Sequence, residues 1–167
     1  MDISKYEEIA KKHKMNDIIL INTEDIYFDR RARLTCRWGC DSSNGVTIKC
    51  EDRGFSVDEA EETIKRYEQI FLLHANDSHD LTRACLDIER ELFLDGFYFA
   101  FTLRACNYCR ECDVNKGLKC KYPKKIRPCE EMLGIDVFKT VQELNLPIGV
   151  LKSEGEVQNR YGFVLIR

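Results

Sequence analysis

Nowhere does this 167-residue sequence run for the ~20 apolar residues that a membrane-spanning helix needs. The opening "MDISKYEEIAKKHKMND" is a polar amphipathic pattern without the apolar segment of a signal peptide, so a cytoplasmic location is expected. Proline is scarce, with three residues at 123, 128 and 147, and no internal repeat or low-complexity tract appears. The chain therefore reads as a single domain over 1–167, long enough to bury a core, with an N-terminal helix at about 1–14 peripheral to it. An excess of positive charge is missing too. The net charge is −3, which provides no broad field to draw in nucleic acid, and neither nucleic acid nor a membrane is expected as a partner. Also lacking are a nucleophile elbow, a glycine-rich phosphate loop, an H-E-x-x-H helix and any evident general acid/base pair. No residue is assigned a catalytic role on these grounds, and whether the protein is an enzyme stays open.

Cysteine is what the sequence has in quantity. Five of the nine fall within "RACNYCRECDVNKGLKCKYPKKIRPCEE", and Cys106, Cys109, Cys112 and Cys120 are spaced C-x2-C-x2-C-x7-C. In a reducing cytoplasm such a pattern reads as metal or redox chemistry, and the odd count of nine argues against a fully paired disulfide scaffold. Structural zinc sites use two C-x2-C pairs with a spacer, whereas a tight triple run brings three thiolates round one face of a cube, as in ferredoxin-like loops. Three readings follow: an iron–sulfur cluster on Cys106, Cys109, Cys112 and Cys120, a zinc site on the same residues, or unligated thiols.

A second group, Cys36-x3-Cys40-x9-Cys50, could hold a metal with a fourth ligand from Cys129, Cys85, His74, His79 or a carboxylate, or leave a position open. Cys85 lies on the apolar face of an expected helix and reads as a small hydrophobe. His74 ends an apolar strand and reads as a partly buried, satisfied histidine; His79 reads as a loop or capping residue and His13 as helix surface. Gly39, beside Trp38, would let backbone approach a metal, or simply make a tight turn. Glu130 and Glu131 are expected to open a helix, where the macrodipole favours acids. The basic runs "DRRARLTCR" and "KCKYPKKIR" are solvated faces, or cations that offset thiolate charge.

Helical and strand patterns alternate. After the first helix, "DIILINTEDIYF" reads as a strand, "DSSNG" as a loop, and "SVDEAEETIKRYEQ" as a helix opened by a Ser56/Glu59 capping box. "IFLLHA" is a buried strand and "DLTRACLDIERELFLDG" a helix with Leu81, Ala84, Cys85, Ile88 and Leu92 on one face. "FYFAFTLRA" is the strongest strand pattern and leads into the cysteine run; a helix from about Cys129 to Leu144 and a strand "RYGFVLIR" follow. The expected fold is α/β, a compact domain with a mixed sheet, packed helices and two cysteine-rich loops.

The order of these features resembles a prokaryotic family of predicted metal-binding proteins, domain of unknown function 2284, common in anaerobic archaea and bacteria. The resemblance covers roughly residues 17 to 150, and its most specific parts are the cysteine run and Arg127, Pro128, Glu131, Gly134, Ile135, Asp136 and Val137. It implies metal binding through cysteines, with Cys106, Cys109, Cys112 and Cys120 as ligands of one site and Cys36, Cys40 and Cys50 as the family's early group. Two departures stand out: "CEDRG" replaces two prolines after the third early cysteine, and Cys129 stands where serine is expected, as an extra ligand or an incidental thiol. The resulting expectation is a cluster protein that transfers electrons, or carries a cluster, to a protein redox partner. The alternatives are a zinc-stabilised interaction module and a thiol-dependent enzyme using Cys36 or Cys40.

Overall fold

A computed structural model of the chain describes residues 2–40, 48–50 and 53–167. The elements in chain order are α1 (Ser4–Lys12), β1 (Asp17–Asn22), the short α2 (Ala32–Leu34), α3 (Val57–Ile64), β2 (Gln69–Ala75), α4 (Ser78–Leu94), β3 (Phe101–Leu103), α5 (Val137–Glu143) and β4 (Arg160–Leu165). The loop expected at "DSSNG" lies outside the described residues. No helix among the described residues is long and apolar enough to cross a membrane.

The four strands form one sheet in the order β1-β2-β4-β3, and every pairing is antiparallel. The expected α/β domain is present, but its sheet is not mixed. The reason lies in the C-terminal strand. β2, α4 and β3 make the crossover that the alternation of patterns suggested, with β2 and β3 pointing the same way. β4 then inserts between them and pairs antiparallel with both. β2 is central and reads as an unbroken apolar run because both its faces are covered. Ile70 and Leu72 enter one core cluster, and Phe71, Leu73 and Ala75 the other.

One face is closed by a long helix. Asp77 caps α4 by accepting the Asp80 N–H at 2.8 Å. The helical spacing then drives Leu81, Ala84, Cys85, Ile88 and Leu92 into the core, each fully buried. Burying a side chain of leucine size contributes about 1.5–3 kcal/mol. The helix lies so close to β4 that a Cβ on Gly162 would come within 2.8 Å of Cys85 Sγ. α1 packs beside it, with Tyr6 5.2 Å from the Phe71 ring and its hydroxyl donating to Asp95 at 2.6 Å.

Shorter pieces close the other face. The Ser56/Glu59 capping box forms as expected, with the Glu59 N–H on Ser56 Oγ at 3.2 Å and the Ser56 N–H on Glu59 Oε2 at 2.9 Å. It starts α3, which buries Ala60 and Ile64. The helix expected from Cys129 to Leu144 is broken. A single 3-10 turn, Glu131–Leu133, ends at Gly134 (φ +82), and α5 begins afresh with Asp136 accepting the Lys139 N–H at 2.8 Å. A Cβ on Gly134 would meet Val57 Cγ1 at 2.6 Å, so the chain turns where α3 leaves no room for a side chain. The strand expected over "FYFAFTLRA" shrinks to Phe101–Leu103 because residues 96–100 are used to turn out of α4: the Phe97 N–H returns to Leu92 and the Ala100 N–H to Phe97.

Candidate metal centre

Past Leu103 the backbone leaves the sheet, the Arg104 N–H donating to the Pro128 carbonyl at 2.8 Å. From there the chain enters the second cysteine group. Arg110 ties this loop to the start of α4 through Asp77 (2.8 Å) and Asp80 (3.2 Å). A 3-10 turn, Asp113–Lys116, closed by Gly117 at φ +74, then brings Cys120 back toward Cys112. Cys106, Cys109, Cys112 and Cys120 all line one cavity of about 100 Å³, together with Tyr108, Tyr122, Asn115 and Lys49. Tyr108 and Tyr122 meet edge to face at 5.2 Å, and the Arg83 guanidinium lies 4.8 Å from the Tyr108 ring.

The thiols sense one another. Burial raises the Cys106 thiol against a backbone hydrogen bond from Tyr108, and the charges of Cys112 and Cys120 add to the rise. Burial likewise raises Cys109, again helped by Cys112 and Cys120. Cys112 goes the other way: burial opposes its ionisation, but amide hydrogen bonds from Asn115 and Val114 and the ammonium of Lys49 outweigh it, and its thiol is lowered. Lys49 also donates to Asn115 Oδ1 at 3.0 Å. This cation stands next to Cys50, so the early cysteine segment reaches the second group through its lysine. Lys49 lies outside both basic runs singled out in the sequence. Members of those runs pair elsewhere: Arg30 with Asp58, Arg31 with Asp29, Lys121 with Asp113 and Arg127 with Glu89.

Among the described residues no three cysteine sulfurs lie within 4.8 Å of one another. The grouping that does is Asp77, His79 and Asp80. Its donors are already engaged, Asp77 with the α4 amide and Arg110, and Asp80 with Arg110 and His79.

The early group is arranged differently. Residues 27–29 zip against 134–136, with the Asp29 N–H on Gly134 and the Asp136 N–H on Tyr27, both at 2.8 Å. The chain then enters α2 and a π-helical turn, Thr35–Gly39, that buries Cys36 and leaves Trp38 exposed. Cys36 Sγ lies 3.9 Å from Cys129 Sγ. The pair shares a proton unequally: the hydrogen bond from Cys129 lowers the Cys36 thiol to about 7, assisted by Arg37 and Arg33, and the same bond with burial pushes Cys129 up. Cys40 is exposed and Cys50 half-buried, and neither completes a three-sulfur grouping with Cys36 within 4.8 Å.

The remaining candidates have structural duties. Cys85 sits in the core against Gly162, its thiol raised by burial. His74 is held between Asp17 (2.8 Å) and Asn159 (2.9 Å) and stacks on Tyr161, and His13 bonds Asp87 at 2.8 Å, clamping α1 to α4.

One feature of the site had no pattern in the sequence. Glu130 does not open a helix at the surface. It is 2% exposed, with Oε1 3.6 Å from Arg104 Nη1. Burial pushes its carboxyl up to about 7, while Arg104 pulls it down and Glu131 raises it. Arg104 in turn donates to Ser78 Oγ at 2.8 Å and to the Tyr161 carbonyl at 3.2 Å. This pair lies directly beneath the chain that delivers Cys106 and Cys129. Residues 26 positions apart meet here, which spacing along the chain cannot signal.

No curated protein and no solved structure matches the chain. A family model described as predicted metal-binding protein (DUF2284) matches residues 19–166, which take in all nine cysteines. This chain belongs to that predicted metal-binding protein family.

Proposed function

We propose that the protein is a small iron–sulfur protein, with Cys106, Cys109, Cys112 and Cys120 holding one cluster that serves electron transfer to a docked protein partner. The observation that carries this reading is the spacing around the shared cavity. A single tetrahedral zinc, with Zn–S near 2.3 Å, holds its sulfurs about 3.8 Å apart. Four cysteines line the second group's cavity, yet no three of the sulfurs fall within 4.8 Å. That breadth suits thiolates bound to different irons of one cluster better than thiolates on one ion. When bound, the cluster supplies a one-electron carrier. The chain's own residues supply its setting. Amides of Asn115 and Val114 and the ammonium of Lys49 direct positive charge at Cys112, and the Tyr108 amide does so at Cys106. Such hydrogen bonds to sulfur tune a cluster's potential. The loop is fixed to α4 through Arg110, which keeps the site rigid and half-exposed for exchange with a partner.

A second reading concerns the early group alone. The 3.9 Å separation of Cys36 and Cys129 matches two thiolates on one tetrahedral ion, so zinc is the metal we assign to that place, with Cys40 and Cys50 to complete it. Protein purified without oxygen should contain iron and acid-labile sulfide and absorb in the visible. Cys109→Ser should remove both, and Cys36→Ser should remove only zinc. Zinc without iron or sulfide in the native chain would overturn the cluster reading.

A further inference from the structure

The second face of the sheet is not fully covered. Between α3, the end of β3 and the segment 126–133 lies a cavity of about 490 Å³, within the range of small-molecule sites. Its walls are mostly apolar, with Phe55, Ile64, Phe101, Leu103, Met132 and Leu165 among them. The charged side chains lining it are Lys49, Arg53 and Arg127, and no acidic side chain lines it among the described residues. Arg127 is neutralised by Glu89 and spends its remaining donors on the Lys124 and Ile126 carbonyls. Lys49 bonds Asn115, and Arg53 makes no ion pair among the described residues. Lys49 and Ile126 line this cavity and the cysteine cavity alike, so the two share a wall.

We infer that this cavity binds a small monocarboxylate with an aromatic or branched apolar body, its head on Arg53 and Lys49 and its body among the apolar walls. A neutral ligand would strip water from two cations and return no counter-charge, and a cationic one would be repelled. An anion with an apolar body satisfies both parts of the lining. Because Lys49 also bonds Asn115 and lines the cysteine cavity, the carboxylate lies against the cysteine loop. The inference goes beyond the iron–sulfur reading and does not depend on it.

The test uses the full chain purified without oxygen and two probes of one shape, 3-phenylpropionate and 3-phenylpropionamide, titrated by calorimetry. The carboxylate should bind at least about tenfold more tightly than the amide, the size of a lost hydrogen bond to a charged group. Arg53→Gln, at an exposed position, should weaken the carboxylate several-fold, with Lys49 retaining part of the preference, and leave the amide unchanged. Thr63→Trp, an exposed lining position at which a large side chain would enter the cavity, should weaken both probes. Equal binding of the two probes, no binding of either, or no effect of Arg53→Gln would each overturn the inference. Iron and sulfide are measured in the same samples. Carboxylate binding without a cluster would sink only the iron–sulfur reading, and a full cluster without carboxylate binding would sink only this one.

Discussion

The two faces of the sheet are closed by different means. On one, the 17-residue α4 and the helix α1 lay an apolar stripe along β2 and β4, and Gly162 lets α4 approach to the contact limit. On the other, α3 and α5, eight and seven residues long, share the work with an irregular stretch around Gly134. On the first face Cys85 is packed away, and His13 and His79 are paired with Asp87 and Asp80. The second face holds the apolar cavity, abuts the cysteine cavity and carries the Cys36–Cys129 pair. Long regular elements settle the fold, while short elements joined by turns enclose the apolar cavity and the paired cysteines.

The comparison breaks most visibly if metal and stability fail to separate. Leu81→Ala on the closed face should cost about 2–5 kcal/mol in urea unfolding, as expected for a fully buried leucine, and leave iron and sulfide per folded chain unchanged. Cys109→Ser on the loop should do the reverse. It should abolish iron and sulfide and shift the stability of the metal-free chain by no more than about 0.5 kcal/mol. Metal loss in Leu81→Ala, or a large fall in metal-free stability in Cys109→Ser, would show that the two parts fold as one unit.

Arg104 joins the two parts, and its removal should produce the next largest effect. Arg104→Met leaves Glu130 buried without its counter-charge, a change that costs about 3–5 kcal/mol in comparable buried pairs. The sign of its pH dependence follows from the raised carboxyl. Below its ordinary value of 4.5 Glu130 is protonated in both folded and unfolded chains. Between 4.5 and about 7 the unfolded chain releases the proton and the native one keeps it, so native stability falls as pH rises through that window. Without Arg104 the carboxyl is held higher still and the fall continues above 7. The penalty of Arg104→Met should therefore be larger at pH 8 than at pH 5, measured as urea midpoints at both. Equal penalties would mean that Arg104 acts by packing and by its bonds to Ser78 and Tyr161 alone.

The closed face was largely legible in the sequence. Its signals are local: the Leu81-to-Leu92 stripe and the β2 run each lie within one element. The sheet's pairing was less so, because β4 enters between β2 and β3 from the far end of the chain and nothing local marks that insertion. At the site, the spacing of Cys106 to Cys120 was enough to bring four cysteines to one cavity. The companions of those cysteines were hidden. Lys49 reaches Cys112 from a different segment, Cys129 finds Cys36 across 93 positions, and Glu130 pairs with Arg104. The short β3 shows the limit from the other side: its aromatics have high strand propensity, but turning out of α4 after Gly96 takes them first.

The smallest predicted effect asks how much the cysteine loop depends on the closed face. Asp77 serves both, capping α4 through the Asp80 amide and pairing with Arg110 in the loop. Asp77→Ala removes both contacts and should cost about 1 kcal/mol, the usual penalty for a lost helix cap. Asp77→Asn separates them, because asparagine caps as well as aspartate but offers Arg110 no charge. The Arg110 pair is largely exposed, and exposed pairs contribute little to stability. Asp77→Asn should therefore unfold close to the native chain, while amide hydrogen exchange in residues 107–112 becomes faster as the loop loosens. If asparagine costs as much stability as alanine, the ion pair and not the cap holds the start of α4. The cysteine loop would then support the closed face, and the division of labour between the two would be wrong at their point of contact.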